Sequence, residues 1–246
     1  MAEKRFLSKA PIKEALIDIQ VVLSNDVTID NLDKLADEIK NEYPKKEDLA
    51  RGNFNIHVDE SQKISTSAEH NRIGIRLTSS DGLQIVQFRL NGFTFSRLEP
   101  YESWNQMEQE AKRLCNIYFD VVKPIEINRV ATRFINVMRI PMVGFVDFDT
   151  VLTAAPQIPE KLPQGLSSFL TRVVIPYVDI KAAAIVTQAF EAKDGQTVPI
   201  TLDIDVFSVQ RFSPKEAEHW DVLNKLKEIK NDIFFESITD KTLELF

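Results

Sequence analysis

The sequence predicts an α+β fold of two tandem β-α-β-β-β-α units, residues 1–123 and 124–246, with antiparallel sheets. The units either stand apart or fuse into one continuous sheet packed by two long helices. Three observations predict this. Strand-like runs are grouped between helix-like runs instead of alternating with them, which favours antiparallel pairing. An Asp-Gly turn, a strand, a proline and a helix carrying a tryptophan occur twice in that order. The first set is Asp81-Gly82, Pro100 and Trp104; the second is Asp194-Gly195, Pro214 and Trp220. Finally, Pro124 stops a long helical pattern, and the order of elements restarts after it.

Residues 15–23 (ALIDIQVVL) are apolar and β-branched and read as the first strand. In residues 28–43, Ile29, Leu32, Leu35, Ala36, Ile39 and Tyr43 recur at helical spacing, with Asp26 or Thr28 as cap and Pro44 as stop. Short strands follow at 53–58 and 73–78. Asp81-Gly82 makes a hairpin turn, since both residues tolerate positive φ, and 83–90 is the return strand. Asn91-Gly92 then turns the chain into 93–98. Pro100 opens a helix over 101–121, with Trp104, Met107, Ala111, Leu114, Cys115 and Tyr118 on its apolar stripe.

In the second half, 126–140 is a long strand closed by Pro141. A short helix at 147–154, capped by Asp147, leads to a proline-rich loop at 156–163. Residues 168–177, 182–191 and 198–210 read as strands, the last alternating as a half-buried strand does. Pro214 opens a last long helix to residue 235, with Trp220, Leu223, Leu226, Lys227, Ile229 and Phe234 mostly on one face. Residues 238–246 add a further helical turn or two.

Composition narrows the function classes. The net charge of −7 opposes non-specific nucleic-acid binding. Only 7 of 246 residues are glycine, against roughly 7% in average proteins, which disfavours a phosphate-cradling glycine loop. GxSxG, GxxxxGK[ST] and GxGxxG are all absent. A single cysteine, Cys115, precludes an internal disulfide and fits a reducing compartment. The start, MAEKRFLSKAPIKEAL, lacks the apolar core of a secretory signal. No run of apolar residues is long enough to span a membrane. A cytoplasmic protein with no cofactor and no membrane attachment is therefore expected. His57, His70 and His219 stand apart in sequence, so no metal site is expected, and Cys115 reads as a small buried apolar residue.

Arginines are the more suggestive feature. Arg129, Arg133 and Arg139 share a strand face, and Arg76, Arg89 and Arg97 lie on strands of the first half. If these strands are neighbours, the guanidinium groups form a cluster for phosphate, a carboxylate ligand or an acidic partner. The competing reading pairs each arginine with a nearby carboxylate such as Glu14 or Glu126. Asp203 and Asp205, in LDID, project to one strand face, as plain polar alternation or as an acid pair. Tyr101 and Trp104, at the head of a helix, either anchor a partner or pack on the preceding strand.

Four segments in order resemble a sporadically distributed bacterial family of uncharacterised proteins of about this length. They are a PI-x-EAL start (Pro11, Ile12, Glu14, Ala15, Leu16); FSRLxPYxxW (Phe95 to Leu98, Pro100, Tyr101, Trp104); RxxxRFIN (Arg129, Arg133, Phe134, Ile135, Asn136); and FxSIT (Phe235, Ser237, Ile238, Thr239). The family often has a histidine in its last helix, where this chain offers only His219, nearer the helix start. The resemblance implies motif residues Glu14, Arg97, Arg133 and Asn136 that serve either as a polar network or as a ligand site. It also implies a mobile-element setting, such as a toxin–antitoxin or phage-defence module. The expected function is protein binding without catalysis, the partner being another protein or a second copy of the chain. The alternatives are a small-ligand or nucleotide site on the arginine face and, more weakly, nucleic-acid binding.

Overall fold

The computed structural model describes residues 7–58, 64–141, 147–192 and 194–246, with the backbone alone for 53–58 and 64–70. The side chains of His57 and His70 therefore lie outside the described residues. Nine described strands pair in a single antiparallel sheet. They are β1 (Ile12–Val22), β2 (Lys45–Val58), β3 (Ile64–Thr78), β4 (Gln84–Arg89), β5 (Gly92–Leu98), β6 (Glu126–Pro141), β7 (Phe169–Tyr177), β8 (Ala182–Phe190) and β9 (Thr197–Ser208). Their spatial order is β2-β3-β4-β5-β1-β6-β9-β8-β7. Of the two arrangements expected for the halves, the continuous sheet is the one present. The seam is β1 against β6, running from Ile12 opposite Asn136 to Val22 opposite Glu126.

Counted outward from the seam, the first half runs β1, β5, β4, β3, β2 and the second runs β6, β9, β8, β7. Each half closes with a long helix, α2 (Trp104–Val122) or α3 (Glu218–Ser237). The first half also has α1 (Ile29–Ile39) between β1 and β2; between β6 and β7 only a 3-10 turn, Phe148–Thr150, is described. A short α4 (Asp240–Leu243) ends the chain.

Period-two alternation in the strands decides which face is covered. Ala15, Ile17, Ile19 and Val21 of β1, Phe93 and Phe95 of β5, Phe134 and Met138 of β6, and Ile200 to Val206 in alternation on β9 are buried. The helices lie over this face: α1 on β3 and α2, α2 on β5, and α3 on β6 and β9. The helical stripes match it, with Leu114, Cys115 and Tyr118 of α2 and Leu223 and Leu226 of α3 buried. Among the described residues no helix covers the other face along β1, β6 and β9, whose outward side chains stay mostly half-buried.

Several boundaries differ from the sequence reading. β2 begins at Lys45, where KKEDLARG has no apolar alternation, because an edge strand with charged side chains needs none. The second helix begins after Ser103, whose hydroxyl accepts from the Gln106 N–H; Tyr101 thus precedes the helix. Asp147 does cap, accepting from the Asp149 N–H, but the helix expected at 147–154 is one 3-10 turn. The last long helix starts at Glu218, four residues beyond Pro214.

Candidate functional site

The uncovered face carries Arg76, Arg89, Arg129, Arg133 and Arg139, and the structure gives them carboxylate partners. Arg89 Nη2 donates to Asp18 Oδ2 at 2.7 Å, and Arg129 Nη1 donates to Asp18 Oδ1 at 3.0 Å. Arg129 Nη2 reaches Asp205 at 3.4 Å, and its guanidinium lies 4.8 Å from the Phe207 ring centroid. Arg133 is bidentate on Asp203, at 2.8 and 2.5 Å. Arg139 pairs with Asp194 and Arg76 with Glu47. Three arginines and three aspartates thus make a neutral ladder across β4, β1, β6 and β9. It surrounds a depression of about 470 Å³ lined by Asp18, Arg89, Arg129, Arg133 and Asp205. Guanidinium groups already held by carboxylates offer little to an anion. The pairing reading therefore fits these residues, but with Asp18, Asp203 and Asp205 as partners. Glu14 sits half-buried on β1 of this face, and Glu126 pairs with Arg211 instead.

Arg97 does not join the ladder. It stands opposite Ala15 and two residues from Phe95, which puts it on the helix-covered face. There Arg97 Nη2 donates to Glu102 at 3.2 Å and Nε to the Pro100 carbonyl at 3.3 Å. One face for all the arginines was a misplacement, because alternation along 93–98 sends Arg97 inward with Phe93 and Phe95.

The same side of the sheet holds a cleft of about 270 Å³. Leu7, Ala10, Pro11 and Ile12 wall it from the N-terminal segment, Tyr101 to Trp104 from the head of α2, and Phe234 and Phe235 from α3. Tyr101 packs edge-on against Phe134, centroids 5.6 Å apart, and Trp104 lies 6.4 Å from the same ring. Trp104 is buried, and its Nε1 donates to Asn224 Oδ1 at 2.6 Å, tying α2 to α3. Both aromatic rings turn onto β6. Asn136 is buried at the cleft, its amide donating to the carbonyls of Leu202 (2.9 Å) and Phe134 (3.3 Å). Asn136, Tyr101 and Trp104 are thus brought together here, while Arg129, Arg133 and Glu14 lie on the far face of the sheet.

Sequence reasoning missed the central residue of this cleft. Lys230 is buried on α3, with Nζ 3.7 Å from the Phe134 ring centroid. Among the described residues no carboxylate or carbonyl pairs with it. Burial pushes its amine down to about 7; Lys227 adds to the effect and Glu228 opposes it. The signal was present, since Leu223, Leu226, Lys230 and Phe234 follow a 3-4-4 spacing on one stripe.

Two other groups stand inside the core. The Cys115 thiol is fully enclosed, and burial raises its pKa, so it stays protonated. His219 packs among Phe119, Phe212 and Trp220, and neither ring nitrogen finds a hydrogen-bond partner among the described residues. Among those residues no group of three or more His, Cys, Asp and Glu is placed to hold a metal ion. Among the described residues no helix is long and apolar enough to cross a membrane. In comparisons with known proteins, no family model matches the chain and no curated protein matches it.

Proposed function

We propose that this chain is a protein-binding component that accepts a partner strand along the edge of β7. One observation carries the reading. Among the described residues β7 pairs only with β8, yet it exposes apolar side chains on both faces, with Leu170 72% and Val174 54% exposed and Val173 and Ile175 beside them. An open, apolar strand edge is a template for β-augmentation. The opposite edge behaves differently, since Lys45, Lys46, Glu47 and Asp48 of β2 cover it with charge.

The tandem-unit reading supplies the geometry. If residues 1–123 and 124–246 are two copies of one unit, β7 corresponds to β3. The outer side of β3 is covered by β2, and the second half has no described strand in the corresponding place. The partner strand would fill it. The toxin–antitoxin or phage-defence setting implied by the family resemblance belongs to the same proposal, and the genes flanking this one test it.

The direct test is a Val173→Lys, Val174→Lys double variant. Both side chains are exposed, so the melting temperature should hold. Sedimentation equilibrium and affinity capture should show loss of a self-associated or partner-bound species that the wild type forms. A species that survives the double variant unchanged removes β7 as the interface.

A further inference from the structure

The cleft above Phe134 contains a buried lysine amine whose described contact is an aromatic ring and not a carboxylate. Burying a lysine amine with no carboxylate or carbonyl partner is costly, and folds avoid it unless the amine serves a purpose. Lys230 meets those conditions at the wall of a cleft of about 270 Å³, a size for a small molecule and not a peptide. The walls are apolar and aromatic, and Asn136 and Ser103 contribute polar groups. The Asn136 amide nitrogen is used on two backbone carbonyls, of Phe134 and Leu202.

We propose that Lys230 is a carbonyl-capturing amine, which condenses with a small aromatic or apolar aldehyde or ketone held in this cleft to form a Schiff base. The amine nitrogen lone pair attacks the carbonyl carbon, a C–N bond forms, and the C=O π pair moves to oxygen. A proton passes from nitrogen to that oxygen, giving a carbinolamine. The C–O bond then breaks and the oxygen leaves as water with the second nitrogen proton. Amine plus carbonyl gives imine plus water, with no change of oxidation state. Desolvation suits each stage, because it leaves about half of the amine unprotonated near pH 7 and shields the imine from hydrolysis. The charged groups around the amine are few. Lys227 and Glu228 lie on its own helix, and Glu102 lines the cleft from the head of α2. β6 and the described N-terminal residues contribute no charge to the cleft lining.

The test uses the full chain, benzaldehyde as probe and sodium cyanoborohydride to trap the imine, followed by peptide mapping by mass spectrometry. At pH 7 Lys230 should be alkylated at least about tenfold faster than the exposed Lys215 and Lys241. That advantage should shrink by pH 10. A Lys230→Met variant should lose the fast adduct while its exposed lysines react as before, and because the wild-type map is site-resolved the result stands even if the variant folds poorly. Alkylation of Lys230 no faster than that of Lys215 overturns the proposal. It also falls if benzoate, with the same ring but no comparably electrophilic carbon, raises the melting temperature while benzaldehyde leaves no reduced adduct at Lys230. The cleft would then be an anion site.

Discussion

Lys230 Nζ lies 3.7 Å from the centroid of the Phe134 ring, and that ring is the only partner the described structure gives it. The pairing joins α3 to β6, next to the central strand β1. It also fixes how the fold responds to pH. The folded amine titrates near 7, below the ordinary lysine value of 10.5. Between those values the unfolded chain holds a proton that the folded chain does not. The penalty is therefore complete below pH 7 and fades as pH rises to 10.5. Lys230→Met should stabilise the protein at pH 6–7, by on the order of a few kcal/mol, and should make little difference near pH 10.5. Urea denaturation of both proteins across this range measures it; an equal difference at every pH contradicts it.

His219 gives the acid counterpart. Burial holds its imidazole down to about 4, against an ordinary 6.5. The folded state keeps the ring neutral, so stability present above pH 6.5 is lost as pH falls towards 4. His219→Phe retains the aromatic packing with Phe119, Phe212 and Trp220 and removes the titration. Its melting temperature should fall less than that of the wild type between pH 6.5 and 4, and parallel pH profiles would refute this.

The two ladder arginines on β6 should differ in weight. Arg129 is held by two aspartates and has only 22% of its side chain exposed, whereas 46% of Arg133 is exposed. Arg129→Ala leaves Asp18 and Asp205 short of a countercharge and should cost about 2 kcal/mol. Arg133→Ala should cost less than about 1 kcal/mol, because water screens the bidentate pair it loses. Equilibrium denaturation of the two variants decides the order, and an Arg133 variant more damaged than the Arg129 variant would invert the account.

Gly92 and Gly82 separate close packing from backbone conformation. A Cβ on Gly92 would stand 2.4 Å from the Ile19 carbonyl oxygen, at φ +155°, so Gly92→Ala must push β5 off β1. Gly82, at φ +76°, has nothing within 4 Å. Gly82→Ala should cost about 1 kcal/mol for its backbone alone, and Gly92→Ala clearly more, about 2–3 kcal/mol. Similar losses in both would show that β5 yields easily.

Local signals were legible because local physics sets them. Pro44 and Pro124 mark helix ends, Asp81-Gly82 and Asp194-Gly195 mark turns, and the 3.6-residue stripe of α2 names its buried residues. Elements stabilised from outside their own segment were harder to read. Lys45 to Gly52 form a strand because β3 offers a hydrogen-bonding edge, not because KKEDLARG favours one. Asp18 was not foreseen as the partner of Arg89 and Arg129, since that depends on β1 lying between β5 and β6. Lys230 has the spacing of a core residue and the chemistry of a surface one, and residue type outweighed position in the reading.

The β1–β6 seam has a consequence for how the protein is made. β1 leaves the ribosome before its partner β6, which begins about a hundred residues later. Until then one side of what becomes the central strand has no ladder to join. Throughout that interval of synthesis the nascent first half carries a row of open amides and carbonyls flanked by Ile17, Ile19 and Val21. Slow translation through residues 100–125 would prolong that exposure, and a chaperone that binds extended apolar chain would find β1 before β6 does.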